Sequence, residues 1–361
     1  MASEHDRRQA ALRTRLVAEG LDGLLVAGPP NLRYLTGFSG SAGQVVISSE
    51  ATVLVTDFRY ASQASGEVGG SAEVRIEKVS VWDGVRSALT ALGLVRVGVD
   101  KDRVTLADSE QLDRAQGVVW VRTKGLVEEL RAVKEPAEVA AIRAAAALAS
   151  EALDATVGQI RPGATELDIA AELEAALRRR GSEWHPFQPI VASGLRSALP
   201  HARASQRRLE SGDFLVVDFG AQVGGYCSDL TRTFVVGAQA SPRQREIYGV
   251  VRTAQDRAIA QIRAGMTGKS ADSLARESIA RDGFGEMFGH SLGHGLGLEV
   301  HEAPRLSQLN GAPLPVGAVV TIEPGVYLEG WGGVRLEDDV LLLETGAEVL
   351  SDRRTDLVEL T

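Results

Sequence analysis

The chain has 361 residues, with 44% apolar residues, 24% charged residues and a formal net charge of -9. That length exceeds what one core usually holds, so two domains are expected. The acidic balance and the lack of clustered lysine and arginine argue against a nucleic-acid surface, whose phosphates need such clusters. The single cysteine, Cys227, excludes an intramolecular disulfide and fits a reducing compartment. The charged N-terminus has no apolar leader core and no apolar run is long enough to span a bilayer, so a cytoplasmic protein without membrane contact is expected.

In chain order, helical spacing predicts a first helix over roughly Ser3 to Glu19, stopped by Gly20. GLLVAG reads as a short buried strand, then a proline-containing turn leads into NLRYLTGFSGSAG, and QVVIS and TVLVT follow as strands, the second closed by TDFRYASQA. Further strands are expected over Glu73 to Val79, Val95 to Asp100 and Gly117 to Val121, with a helix around Val81 to Leu92. Composition shifts near Lys124. The fold class expected is α+β in two domains: an α/β N-terminal domain over 1–124 and a second domain over 125–361. In the latter, Pro136 opens a helix, Thr165 and Asp168 have capping-box spacing for a second that ends at Gly181, Ser241 and Pro242 open a third, and Ser270 opens a fourth.

Three stretches carry the chemistry. In VVDFGAQVGGYCSDLTRTF, two strand-like runs flank Gly224 and Gly225, and Asp218 and Asp229 lie nearly equidistant from that turn. Aspartate is disfavoured in strands, and like charges on one face of a hairpin are destabilising unless a cation lies between them. In TIEPGVYLEGWGGVRLEDD, Glu323 and Glu337 flank a turn centred near Gly330 in the same way. GHSLGHGLGLEVHEAP holds three of the six histidines, His290, His294 and His301. His294, on what reads as a glycine-rich loop, supplies a nitrogen ligand. Four carboxylates exceed the charge of one divalent ion, so two metals are physically sensible; hard oxygens with one imidazole suit manganese first, or cobalt or zinc.

These segments resemble the pita-bread metallopeptidases, and within them the Xaa-Pro branch of aminopeptidase P and prolidase. The resemblance covers about Leu126 to the end, and NLRYLTGFSGSAG and TDFRYASQA look like the creatinase-like N-terminal domain of bacterial members. It implies a catalytic domain with a curved antiparallel sheet and covering helices. It also implies a dinuclear site of Asp218, Asp229, His294, Glu323 and Glu337, with Asp229 and Glu337 bridging and Glu323 doubling as general base for a metal-held water. By the same resemblance His201 helps hold the substrate and the developing oxyanion. His301 stabilises the tetrahedral intermediate or contacts the substrate carbonyl, and His290 lines a proline pocket. Tyr327 is a pocket residue, and Arg335 pairs with a metal-site carboxylate and reaches substrate. His290 and Arg335 separate this branch from the methionine aminopeptidases. The implied substrates are peptides with proline in second position, or Xaa-Pro dipeptides, and the implied assembly is a homodimer.

Other polar residues read as structural. His5 and His185 are expected to be hydrogen-bonded partners of the fold, although EWHPFQPIVASG around His185 departs from the shorter small-plus-aromatic pattern of similar proteins. Cys227 reads as a packing residue. Arg59 and Tyr60 either approach a neighbouring subunit or pack within their own domain. TGKS at Thr267 to Ser270 lacks the earlier glycine of a phosphate loop, because Arg263 stands there. Two competing functions use the same fold: a catalytically inactive binding module and a creatinase-like metal-independent hydrolase. The presence of all five ligands argues against both.

Overall fold

The computed structural model describes residues 3–352 and 356–361. The chain divides into two units, one ending at Arg131 and one beginning at Ala132, rather than at Lys124. The short helix Glu128–Arg131 explains the difference: Asn31 donates to Glu128 (2.8 Å) and accepts from Arg131 (2.7 Å), holding it to the first unit.

The first unit is built on a six-stranded sheet. In spatial order its strands are Glu73–Glu77, Thr52–Asp57, Gln44–Ser48, Gly23–Val26, Arg96–Asp100 and Val119–Thr123. Only Gln44–Ser48 runs antiparallel to its neighbours. Leu25, Val46, Val53 and Val97 pack there against Val85 and Leu89 of the helix Val81–Ala91. The first helix, Glu4–Ala18, starts in a capping box between Ser3 and Asp6; Glu19 is its cap, with Gly20 in the left-handed conformation just beyond (φ 63°). The proline-containing turn is instead the helix Pro29–Thr36, which accommodates Pro29 because the first helical position needs no amide donor. Ala61–Glu67 and Leu106–Leu112 are also helices, each seven residues long and too short to show a helical period.

The second unit repeats one scheme twice. The helices Pro136–Val157 and Glu166–Arg179 cover a four-stranded sheet ordered Val358–Leu360, Leu230–Val236, Phe214–Phe219, Ile190–Ser193. Leu215, Val217, Phe219 and Phe234 meet Ala149, Leu153, Ile169 and Leu173 between the layers. The helices Pro242–Gln261 and Gly268–Arg281 cover a five-stranded sheet ordered Glu302–Leu306, Gly293–Gly295, Val319–Ile322, Asp338–Leu343, Gly346–Val349. Val320, Ile322, Val340 and Leu342 meet Ile247, Val251, Ala275 and Ile279. Pairing is antiparallel except between Leu230–Val236 and Val358–Leu360. The fourth helix begins at Gly268, because the Thr267 hydroxyl accepts the Ser270 amide (3.1 Å) and caps it; the TGKS segment is that cap. No helix among the described residues is long and apolar enough to cross a membrane.

Arg232 staples the two halves together. Its guanidinium donates to the Glu337 carbonyl (2.6 Å), the Asp338 carboxylate (2.8 Å) and the Asp352 carbonyl (2.8 Å), with Arg232 and Asp338 both buried. Removing one partner of such a pair strands a buried charge. Arg232→Met should therefore lower the unfolding free energy by about 3–5 kcal/mol in urea titrations; a loss below about 1 kcal/mol, the value of an exposed pair, would show that the staple carries little.

Candidate metal centre

The first hairpin keeps one register throughout. Thr231 stands opposite Asp218 and Leu230 opposite Phe219, and the same count continues through Gln222–Cys227 and Val223–Tyr226 to the turn at Gly224 and Gly225. Asp218 therefore faces Thr231 and not Asp229, which falls opposite Gly220. Side chains alternate along a strand, so Asp229 still shares the face of Asp218, diagonally placed, while Leu215, Val217 and Phe219 point into the helices. A side chain at 220 would put its Cβ 2.0 Å from the Ser228 carbonyl oxygen, so glycine alone permits this approach.

The second hairpin also has a single count. Ile322 pairs with Asp338 and Gly325 with Arg335, so Glu323 and Glu337 face each other in the gap between the two ladders. Each is held there by another segment: the Glu323 amide donates to the carbonyl of Leu292, just before the strand Gly293–Gly295 (2.9 Å), and the Glu337 amide to that of Thr231 (3.2 Å). The second of these bonds joins the two hairpins. His294 lies on the strand Gly293–Gly295, with a bulge after it, rather than on a loop. A Cβ at 293 or 295 would fall 1.9 Å from the Thr321 oxygen or 2.2 Å from the Ala303 oxygen. The surrounding glycines thus serve close strand packing.

Asp229, His294 and Glu337, all buried, offer ligand atoms within 4.8 Å of one another. His294 Nδ1 lies 3.1 Å from the Gly295 carbonyl and carries the proton, so Nε2 presents its lone pair. That nitrogen faces Glu323 Oε1 at 3.4 Å and Asp229 Oδ2 at 3.6 Å. Acceptors facing acceptors require something positive between them. Asp218 Oδ1 and Asp229 Oδ1 are also buried with no hydrogen-bond partner among the described residues, as oxygens reserved for a cation would be. Burial and, beyond it, the neighbouring carboxylates push Asp229 and Glu337 well above the usual range. Burial pushes Glu323 up to about 8 and His294 down to about 4. Oxygen-rich with one neutral imidazole, this donor set fits hard or borderline divalent ions.

Residues not singled out from sequence hold these acids in place. The Thr231 hydroxyl donates to Glu337 Oε2 (2.6 Å), that of Thr321 donates to Glu323 Oε1 (3.2 Å), and Asp339 accepts the Asp229 amide (3.2 Å). Strand alternation was the signal that would have found them: Thr231 is two residues from Asp229, Thr321 two from Glu323, and Asp339 two from Glu337. Arg335, buried, donates to Asp218 Oδ2 (2.5 Å), the Tyr327 hydroxyl (2.9 Å), Thr231 Oγ1 (3.1 Å) and the Pro200 carbonyl (3.1 Å). His290 Nδ1 donates to the Ser291 carbonyl (2.9 Å), leaving Nε2 to accept the Tyr327 hydroxyl proton (3.0 Å). Burial lowers His290 to about 4 and raises Tyr327 to about 12, so both are neutral in this chain of bonds.

His301 is exposed and its ring lies 4.3 Å from that of His294. Burial lowers its pKa too, while the Asp218 charge opposes that shift and the His201 charge adds to it. The adjacent Glu302 forms a buried ion pair with Lys134 (2.7 Å). Trp184, Pro186, Leu298 and Val300 wall an open cavity of about 380 Å³ beside His301. His201 is exposed on a turn next to Pro200. His185 stacks on Trp184 (4.6 Å), and burial drives the Cys227 thiol up to about 12, which removes it as a nucleophile. In the first unit, His5 bonds the Tyr34 carbonyl (3.2 Å), Arg59 pairs with Asp57 (2.7 Å) and Tyr60 bonds Ser41 (2.7 Å).

Residues 140–344 match the model of metallopeptidase family M24, and residues 8–133 that of the creatinase/prolidase N-terminal domain; the chain belongs to metallopeptidase family M24. Among its relatives, a protein named Xaa-Pro dipeptidase from Pyrococcus horikoshii is 38% identical over 94% of this chain and 95% of its own. The solved structure of an Xaa-Pro dipeptidase from Bacillus anthracis superposes with a TM-score of 0.95 at 41% identity, covering 99% and 100% of the two chains. That of an X-Pro aminopeptidase from Thermotoga maritima does so with a TM-score of 0.91 at 39% identity, covering 98% and 99%.

The raised carboxyls predict how the metal-free protein responds to pH. Between the ordinary value of 4.5 and about 8, folded Glu323 keeps a proton that the unfolded chain releases, so stability falls as pH rises. His290 and His294, lowered from 6.5 to about 4, act in the opposite sense but only below 6.5. The melting temperature of chelated protein should therefore fall from pH 6.5 to 8, and added Mn²⁺ should raise it more at pH 8 than at 6.5. A chelated protein that grows more stable across that window would contradict the clustering.

Proposed function

We propose that the chain is a dinuclear metal-dependent peptidase that hydrolyses the peptide bond before proline, in Xaa-Pro dipeptides and at the N-terminus of longer peptides. One observation carries the reading: the lone pair of a neutral His294 and the oxygens of Asp229 and Glu323 converge beside unpartnered oxygens of Asp218 and Asp229. Relatives with 38–41% identity are named Xaa-Pro dipeptidases. Asp218, Asp229, His294, Glu323 and Glu337 would hold the ions. A divalent pair supplies a Lewis acid for the scissile carbonyl and lowers the pKa of water.

The chain's own groups do the rest. Glu323, fixed by Thr321 through Oε1, takes the proton of the attacking water at Oε2. His301, neutral and exposed beside His294, donates toward the oxygen that gains charge, and His201 holds the substrate from its turn. Phe288, His290 and Tyr327 pack ring against ring, with centroids 5.0 and 5.5 Å apart, and offer a face for proline. The cavity beside His301 receives the side chain of the preceding residue. With four partners of its own, Arg335 serves chiefly to fix Asp218 and Tyr327. The reading extends to manganese as the resident ion, to a homodimer and to the cytoplasm. The unpartnered carboxylate oxygens weigh against both a binding module and a metal-independent hydrolase, neither of which needs them.

The test is hydrolysis of an Xaa-Pro dipeptide and an Xaa-Pro-Yaa tripeptide, side by side, with Mn²⁺ and after chelation. Cleavage with Mn²⁺ that vanishes on chelation is expected, and cleavage of neither peptide would sink the reading. Glu323→Gln should lower kcat by about 10²–10⁴-fold, the usual contribution of a general base.

A further inference from the structure

We propose that Glu166 is a positioning residue for His201, clamping both ends of the loop that carries it; the inference rests on the role given to His201 above. Glu166 is the first residue of the helix Glu166–Arg179, follows the capping residue Thr165, and is completely buried. Its two oxygens accept from three residues of the loop. Oε1 takes the Ser193 amide (2.8 Å), the Ser193 hydroxyl (2.9 Å) and Arg196 Nε (3.2 Å). Oε2 takes Arg196 Nε (3.0 Å), the Ser205 amide (3.0 Å) and the Ser205 hydroxyl (2.6 Å). Ser193 ends the strand Ile190–Ser193, where the loop departs, and Ser205 lies where it returns. One carboxylate therefore closes the neck from both sides, and Arg196 adds a rung by donating to the Arg203 carbonyl (2.5 Å).

The far part of the loop is tied to the metal centre. The Gly333 amide donates to Ser197 Oγ (2.8 Å), and the Pro200 carbonyl accepts from the same Arg335 guanidinium that holds Asp218. His201 comes next in the chain, and its imidazole has no hydrogen-bond partner among the described residues. No side-chain bond anchors that ring, so the backbone sets the region it can reach, and the backbone is held between the Glu166 neck and the Arg335 contact. A carboxylate is required because every group aimed at it is a donor. An amide would turn an NH₂ toward the Arg196 Nε–H and a backbone N–H, neither of which can accept. The cost is that of a displaced catalytic group, and a shift of about 1 Å can lower a rate about 10²-fold.

The test is a double-mutant cycle on the Mn²⁺-loaded enzyme. Glu166→Gln should lower kcat/KM for an Xaa-Pro peptide by about 10–10²-fold with metal content unchanged. In a His201→Ala background the same change should cost under about 2-fold, because the group it positions is gone. Equal losses in both backgrounds would overturn the proposal, since a merely structural carboxylate acts independently of His201. Should Glu166→Gln fail to fold, Ser205→Ala, which removes the 2.6 Å contact to Glu166 and the 3.2 Å bond from the Arg207 amide but keeps the Ser205 amide bond to the carboxylate, should show a smaller loss with the same non-additivity, and additive losses there would overturn it too. Hydrogen exchange separates this inference from the proposed function. Amides of residues 194–205 should exchange faster in the variant, and unchanged exchange would refute the clamp. If the wild type cleaves neither peptide, the functional reading falls while the exchange measurement still decides whether Glu166 holds the loop.

Discussion

Carboxylates do not gather in a buried space unless something positive gathers them. Asp229, Glu323 and Glu337, with Asp218 beside them, are brought together against their mutual repulsion and against the cost of leaving water. Much of the second unit is the means of enforcing that proximity. Gly220, Gly293 and Gly295 let backbones approach where any side chain would collide. Thr231 and Thr321 each orient a carboxylate, and the Arg335 cation balances part of the charge while leaving one oxygen of Asp218 unpartnered. Arg232, on the strand Leu230–Val236, ties the second hairpin to the first.

Each half of the unit contributes a helix pair, a sheet and a hairpin, and each hairpin contributes two acids. In both, the apolar positions of the strands seal against helices while the alternate positions carry the acids, so one two-residue period serves stability and chemistry. The arrangement also divides the labour among the histidines. His294 is buried and neutral with its lone pair exposed to the acids, His290 is locked into a chain of bonds with Tyr327 and Arg335, and His201 and His301 remain exposed.

Much of this was legible in the sequence because it depends on counting. Glu323 and Glu337 are equidistant from Gly330, and the structure pairs them across that centre. Asp218 and Asp229 are not quite equidistant from their turn, and the two-residue difference places Thr231 opposite Asp218 while parity keeps both acids on one face. The capping box of Thr165 and Asp168 was equally plain, since it needs only three residues of spacing. What stayed hidden depends on contacts between distant segments. The Glu166 clamp joins residues 27 and 39 positions away, and nothing in its own neighbourhood announces it. The helix Pro29–Thr36 was obscured by prolines that read as a turn, and the unit boundary by a short helix whose allegiance is set by Asn31, about 100 positions earlier.

The gap between the two ladders of the second hairpin has one more consequence. Because Glu323 and Glu337 take their backbone partners from Leu292 and Thr231 rather than from each other, neither hairpin can build the site alone. A slip of one residue in either strand would turn its acids to the opposite face, and the ion would find no cage. Metal capture would therefore act as an inspection of assembly: only chains whose segments have docked in register present the full donor set, so a misregistered molecule would stay empty however much metal is supplied.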